Sequence, residues 1–249
     1  MENMTRRNAL KMSALTALGM TVFPPDAAGI PESGKKLKVV VVGAHPDDPE
    51  TACGGTMILL AEEGHEIVSA YLTRGERGIQ GKTLEEAAQI RTEEAKSACK
   101  IMNARPAFLK QVDGSCVINT ASYDEMYEFL KAEKPDIVFT HWPVDAHRDH
   151  RICSILVYDA WKNLDKSFAL YYFEVESGGQ TQNFSPAQFV DITTVLEKKH
   201  AACFAHVSQK MEWVYGEYHE KMEIFRGLQA NCKFAEAFIK HDHSIVITL

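Results

Sequence analysis

From residue 37 onward the chain alternates between unbroken apolar runs and runs with helical spacing. Leu37 to Val42 (LKVVVV) is a continuous, β-branched run, the pattern of a strand buried on both faces. Thr51 to Glu63 carries helical spacing, and Gly64 follows where a C-terminal cap belongs. Ile67 to Thr73 reads as a second strand, Leu84 to Met102 as a long charged amphipathic helix, and Ala107 to Val112 as a short third strand. A helix from Tyr123 to Lys134 ends at Pro135. Asp136 to His141 is a further strand, and His150 to Lys162 a further helix. After an apolar run at Phe168 to Val175 comes a loop at Ser177 to Pro186, then one long helical pattern from Thr194 to Leu228. Strand–helix–strand repetition with short loops predicts right-handed βαβ units, hence an α/β fold with a mostly parallel sheet. In such sheets ligands sit beyond the carboxyl ends of the strands.

Ahead of this domain the pattern changes. Arg6-Arg7 precede a short apolar run from Met12 to Phe23, followed by Ala27, Ala28 and Gly29. Charged start, apolar middle and small-residue end are the layout of a secretory signal over residues 1–29. The run is too short to span a bilayer comfortably. T-R-R-N-A-L-K resembles a twin-arginine export signal, which carries proteins already folded around a cofactor. The expectation is a periplasmic or cell-envelope protein without stable membrane insertion after export, or a cytoplasmic one if the signal is not functional. Asp26 is the discordant residue, standing where a small one is expected if cleavage follows Ala28. Residues 30–36 read as a linker and 37–249 as a single domain, long enough for a sizeable core.

Composition narrows the partners. A formal net charge of -7 argues against nucleic acid, which calls for an excess of Lys and Arg. The expected partner is a small molecule or glycan; nothing in the sequence sets the oligomeric state. The six cysteines contain no C-x-x-C pair, which disfavours a thiolate zinc site. They read as buried, reduced thiols, with one disulfide left open if the protein is exported.

Two strand ends carry the chemistry. The first strand runs into His45-Pro46-Asp47-Asp48, and the strand at Asp136 to His141 runs into Asp145-Ala146-His147-Arg148-Asp149-His150. Both clusters fall on the same edge of the expected sheet. A catalytic zinc site uses three protein ligands and leaves one position open, and His, Asp and His supply such a set. Adjacent aspartates cannot point the same way, so one can bind metal while its neighbour faces water. His141 and Asp145 are candidate outer partners of the ligands. Gly54-Gly55 lacks G-x-G-x-x-G spacing, which disfavours a dinucleotide site; close helix packing accounts for these glycines. Arg91 and Glu94 read as a salt-bridged helix face.

With Gly54-Gly55-Thr56, Thr73-Arg74-Gly75-Glu76, Arg91 with Glu94, Asp113-Gly114, Asp191-Ile192-Thr193 and His206-Val207-Ser208-Gln209, these motifs resemble the PIG-L (LmbE-like) zinc-dependent N-deacetylases. The resemblance covers roughly Lys38 to Gln209. It implies a Rossmann-like three-layer sandwich with its active site at the carboxyl ends of the strands. It implies one Zn2+ per chain, or Fe2+, held by His45, Asp48 and His150. Asp47 would be the general base, a protonated His147 would stabilise the oxyanion, and Asp149 would orient His147 and keep it cationic. Arg74, Asp113 and His206 would contact the sugar. The implied reaction is hydrolysis of an N-acyl amide, acetyl foremost, on an amino sugar or glycoside. Two alternatives stay open: an amidase acting on a thiol-glycoside conjugate or other acyl amide, and a metal-bearing carbohydrate-binding protein without turnover.

Overall fold

Four consecutive valines set the centre of the fold. In strand β1 (Lys38–Gly43), Val39 and Val41 enter one apolar core while Val40 and Val42 enter another, all four fully buried. A strand that is apolar on both faces requires a layer on each side, with burial of each valine contributing ~1.5–3 kcal/mol. The computed structural model describes residues 36–245 and 247, so the expected signal segment and all but the last residue of the linker lie outside the described residues.

The elements follow the expected alternation: helix α1 (Asp48–Glu62), β2 (Glu66–Tyr71), α2 (Leu84–Met102), β3 (Arg105–Phe108), α3 (Thr120–Glu133), β4 (Ile137–His141), α4 (Arg148–Asn163) and β5 (Ala169–Phe173). A capping box starts α2: Glu86 N–H donates to Thr83 Oγ1 at 3.2 Å and Thr83 N–H to Glu86 Oε2 at 2.9 Å. Helices α1 and α2 pack on one face of the sheet, α3 and α4 on the other, giving three layers.

Two elements escape the sequence pattern. Strands β6 (Gln188–Asp191) and β7 (Ala235–Lys240) complete a seven-stranded sheet of order β3-β2-β1-β4-β5-β7-β6. β7 runs antiparallel to both β5 and β6, so the sheet is mostly parallel with an antiparallel margin. The single helical stretch expected from Thr194 to Leu228 is divided. It comprises a 3₁₀ turn (Thr193–Val195), α5 (Leu196–Phe204), a second 3₁₀ turn (Val207–Gln209), α6 (Met211–Val214), a π-helical turn (Tyr215–His219) and α7 (Glu220–Ala230). The interruption falls at His206 and at Lys210, whose φ of 54° is left-handed and ends helical hydrogen bonding. Gly54 and Gly55 are packing glycines: a Cβ on Gly55 would lie 2.4 Å from Ile192, and one on Gly54 would lie 3.3 Å from Lys199. All six cysteines are free, five of them buried. Among the described residues no helix is long and apolar enough to cross a membrane.

Candidate active site

β1 lies between β2 and β4, and the connections leave it in opposite directions. A crevice therefore opens beyond the carboxyl ends of β1 and β4, the switch point of an open parallel sheet. The turn after β1 is tight: a Cβ on Gly43 would lie 2.6 Å from Pro49 and 2.8 Å from Asp48. This turn delivers His45, Asp47 and Asp48 to the crevice. From the other side, β4 ends in His141, His147 caps the N-terminus of α4, and His150 sits in its first turn.

Three of these side chains converge. His45 Nδ1 is 3.3 Å from Asp48 Oδ2, His150 Nε2 is 3.4 Å from Asp48 Oδ1, and His45 Nδ1 and His150 Nε2 are 3.3 Å apart. Donor atoms around a tetrahedral ion at the ~2.0–2.1 Å of a zinc–nitrogen or zinc–oxygen bond stand about 3.3–3.4 Å from one another. The His45 Nδ1–His150 Nε2 pair has that spacing, and Asp48 meets the two rings with different oxygens, Oδ2 toward His45 and Oδ1 toward His150. Burial alone would raise the Asp48 pKa, but His150, His141 and His45 hold it well below the usual carboxylate range, in the anionic form that ligation needs.

Among the described residues three donor triplets lie close enough together to share an ion: Asp48, His141 and His150; His45, Asp113 and Asp149; and His45, His147 and His150. In the first, His141 Nε2 accepts the Ala44 N–H at 3.0 Å, so its lone pair is already engaged. Burial, helped by His150, lowers the His141 pKa to about 4 and keeps it neutral. In the second, Asp113 and Asp149 approach the far nitrogen of His45, with Oδ1 and Oδ2 at 3.3 and 3.5 Å from Nε2. A carboxylate behind the far nitrogen fixes the ring and aims Nδ1 at the ion position. His150 has the same support: its Nδ1 is 3.2 Å from Asp145 Oδ1, and Asp145 in turn accepts from Thr181 Oγ1 and from the His147 N–H. Despite its burial, these contacts lower the Asp145 pKa to about 2.

The Asp149–His147 relay differs from expectation. The Asp149 carboxylate accepts the Gly114 N–H at 2.7 Å and faces His45, not His147. His147 Nδ1 instead accepts the backbone N–H of Asp149 at 3.2 Å, as a helix cap. Burial, then the neighbouring His150 and His45, hold the His147 pKa below its ordinary value. A ring accepting at Nδ1 is neutral and carries its proton on Nε2. Both contacts favour the neutral ring over the expected imidazolium.

Asp47 occupies an uncommon backbone state, φ 116° and ψ -29°, which costs on the order of 1–3 kcal/mol in a residue with a Cβ. Arg91 holds it there, with Nη2 2.7 Å from Asp47 Oδ2 and a further bond from Nη2 to the Pro46 carbonyl. Glu50 accepts the Asp47 N–H at 3.2 Å. Burial pushes the Asp47 carboxyl upward, opposed first by Arg91, and the result is a raised pKa. Arg91 itself lies under two glycines, since a Cβ on Gly75 or Gly78 would meet its Nη1 at 2.4 or 2.6 Å. Its reading as part of a salt-bridged face with Glu94 does not hold. Glu94 instead accepts from the N–H and Oγ of Ser208, both at 2.7 Å, anchoring the 3₁₀ turn at 207–209.

A cavity of about 620 Å³ opens over the convergence point, and Asp47, Asp113, His147, His150, Gln180 and Tyr218 are among its lining residues. Asp113 is thus brought in, though it is also tied to His45 and to the Arg77 N–H. Arg74 and His206 are not among the lining residues. Arg74 turns outward to Glu85 at 3.0 Å, and Arg77, three residues later, lines the cavity instead. His206 is fully buried with Nε2 3.7 Å from Glu50, bracing the first motif from behind.

Residues 40–161 match the family model described as PIG-L: GlcNAc-PI de-N-acetylase. The chain is 28% identical over 216 residues to a diacetylchitobiose deacetylase of Thermococcus kodakarensis, covering 80% of this chain and 81% of that one. It is also 28% identical over 210 residues to a 4-oxalmesaconate hydratase of Pseudomonas putida, covering 77% and 80% respectively. In fold it is similar to the N,N'-diacetylchitobiose deacetylase of Pyrococcus horikoshii, with a TM-score of 0.74 at 21% identity over 96% of this chain and 94% of that one.

Proposed function

The chain belongs to the PIG-L (LmbE-like) family, and from that premise we propose that it is a metal-dependent hydrolase that removes an N-acyl group, acetyl foremost, from an amino sugar or glycoside. One observation carries the reading: His45 Nδ1 and His150 Nε2 stand 3.3 Å apart with an oxygen of the Asp48 carboxylate 3.3–3.4 Å from each, and the Asp47 carboxylate lines the same cavity. A bound zinc or iron(II) ion would make water nucleophilic at neutral pH and polarise the amide oxygen.

The residues divide the remaining work. Asp47 takes a proton from the attacking water as the new carbon–oxygen bond forms, and Arg91 keeps that carboxylate aimed and anionic. Charge then develops on the former amide oxygen, where the Nε2–H of neutral His147 donates a hydrogen bond. The carbon–nitrogen bond breaks as the amine takes the proton held by Asp47, leaving acetic acid and the free amine; the acid then gives its proton to the amine or to solvent and departs as acetate. Asp149 and Asp113 fix the His45 ring, and Asp145 fixes that of His150. Asp113 and Arg77, at the cavity wall, are placed to hydrogen-bond sugar hydroxyls.

The relative that is a hydratase supports a second reading, in which the same base delivers water to a carbon–carbon double bond. The two readings separate by product. Purified protein supplied with zinc or iron(II) is expected to release acetate from N-acetylglucosamine glycosides and to lose this activity with chelator. The Asp47→Asn variant is expected to lose about 10²- to 10⁴-fold in kcat while binding metal normally. No acetate from any N-acylated glycoside, alongside hydration of an unsaturated dicarboxylate, would replace the deacetylase reading. The N-terminal segment supports export, so envelope or environmental glycans are the substrates to test first.

A further inference from the structure

Helices α1 and α2 open with the same hydrogen bond in opposite surroundings. At α2 the capping acid Glu86 is exposed, and its partner Thr83 has an ordinary extended backbone, φ -69° and ψ 159°. At α1 Glu50 accepts the Asp47 N–H at 3.2 Å, but Glu50 is fully buried and Asp47 has φ 116°. A buried carboxyl gives up its hydration, a cost that an exposed capping acid does not meet. Both Glu50 oxygens are fixed from the side away from the cavity. Oε1 accepts from the hydroxyl of Tyr71 at the end of β2, and that hydroxyl oxygen accepts from Ser69 Oγ at 3.0 Å. Burial, then Glu50, raise the Tyr71 pKa well above its ordinary value, so the hydroxyl keeps the proton it donates. Oε2, the oxygen that meets Asp47, has His206 Nε2 3.7 Å away. His206 is fully buried, and neither of its ring nitrogens has a hydrogen-bond partner among the described residues. Glu50 is not among the residues that line the cavity; it reaches the cavity through the backbone of Asp47.

We propose that Glu50 is a positioning residue for the base: fixed by Tyr71 and His206, it locks the Asp47 backbone in its left-handed conformation and so aims the Asp47 carboxylate into the cavity. The proposal rests on the reading of Asp47 as the base. It adds that the aim is set from two sides, with Arg91 acting on the side chain and Glu50 on the backbone N–H. A residue with a Cβ leaves this region of backbone space when nothing holds it there. Released from Glu50, Asp47 relaxes toward an ordinary conformation and its carboxylate swings away from the attacking water. A misplacement of about 1 Å in a reacting group lowers turnover by about 10²-fold.

Two substitutions separate the acceptor from the bulk of the side chain. Glu50→Met keeps the length and loses both oxygens, whereas Glu50→Gln keeps an oxygen for the Asp47 N–H. With saturating zinc, Glu50→Met is expected to lower kcat roughly 10- to 100-fold at unchanged KM and metal content, and Glu50→Gln by a smaller factor. In the Asp47→Asn background the same Glu50→Met change is expected to add no further loss, because two residues that act as a unit are not additive. Additive losses would overturn the proposal, as would a Glu50→Gln variant as slow as Glu50→Met. Should Glu50→Met fail to fold, Tyr71→Phe takes its place: a loss of roughly 3- to 10-fold in kcat, absent again in the Asp47→Asn background. Amide exchange at Asp47, followed by nitrogen-15 NMR on the zinc-loaded protein, reads the clamp without turnover. It is expected to be slow in wild type and at least about 10-fold faster in Glu50→Met or Tyr71→Phe. Equal exchange in wild type and variants sinks the clamp even if acetate is released. Slow exchange in wild type that is lost in the variants, in a protein that releases no acetate, keeps the clamp and rejects the deacetylase reading.

Discussion

Arg91 Nη2 lies 2.7 Å from Asp47 Oδ2 in a guanidinium that is 3% exposed, so the carboxylate at the cavity is held from beneath by a buried cation. The contact spans two elements, the turn after β1 and the middle of α2. It keeps Asp47 in a left-handed backbone conformation and opposes the rise in its pKa caused by burial.

The sign of this coupling makes a prediction. Removing the guanidinium removes the main influence that lowers the Asp47 pKa, so the base becomes protonated at higher pH. In Arg91→Met the acid limb of the kcat/KM profile is expected to move to higher pH, with a larger loss at pH 6 than at pH 8. The maximum loss should stay within the ~10²- to 10⁴-fold that a positioned base contributes. Arg91→Lys should recover part of the limb. A uniform drop with no displacement of the limb would assign Arg91 to packing beneath Gly75 and Gly78 alone.

Asp145 has a different expected effect. It stands 3.2 Å from His150 Nδ1, whereas the other ring nitrogen, Nε2, faces Asp48. Asp145→Ala is expected to weaken metal binding about 10- to 100-fold, measured by competition with a chromophoric chelator, and to regain most turnover when metal is saturating. Unchanged affinity would reduce Asp145 to its bonds with Thr181 and the His147 N–H.

Much of this was legible in the chain because the strongest signals are local. The valines of β1 announce a doubly buried strand, and H-P-D-D and H-R-D-H lie within a few residues of the carboxyl ends of two neighbouring strands. β7 was hidden because Glu236 interrupts its apolar pattern, and that glutamate is acceptable inside the fold only because Lys199 and the N–H groups of Gly55 and Thr56 reach it from other elements. Arg91 left a trace that a face-by-face reading of α2 finds: it is the one charged residue on a buried stripe of Ala87, Ala88, Ala95 and Ala98. The direction of the Asp149 carboxylate was not readable, because proximity to His147 in sequence suggests a contact that helix-cap geometry gives to the backbone N–H instead.

Lys199 is fully buried, with Nζ 2.5 Å from Glu223, 2.8 Å from Glu236 and 3.4 Å from Glu176. One cation thus faces three carboxyls. Burial raises the Glu176 pKa well above the usual range against the pull of Lys199. Lys199→Met would leave Glu223 and Glu236 without their cation, and a buried charge stripped of its partner costs about 3–5 kcal/mol. Urea unfolding of the metal-free protein is expected to show a loss of that size. A loss below about 1 kcal/mol would mean that the carboxyls neutralise by taking up protons at little cost.

His219 lines the cavity, and burial, reinforced by Lys199, lowers its pKa to about 4. Between that value and the ~6.5 of an unfolded histidine, the unfolded chain binds a proton that the folded chain refuses. Stability must therefore fall as pH drops through this window, by up to roughly 3 kcal/mol from this one group. His141, held at about 4 by burial, acts in the same direction, so His219→Gln should flatten the decline without abolishing it. Urea midpoints at pH 7 and pH 5, taken in chelator so that metal release adds nothing, are expected to lie closer together in the variant than in wild type. An equal decline in both would mean that His219 is protonated in the folded chain, and that the positive field of Lys199 does not reach it.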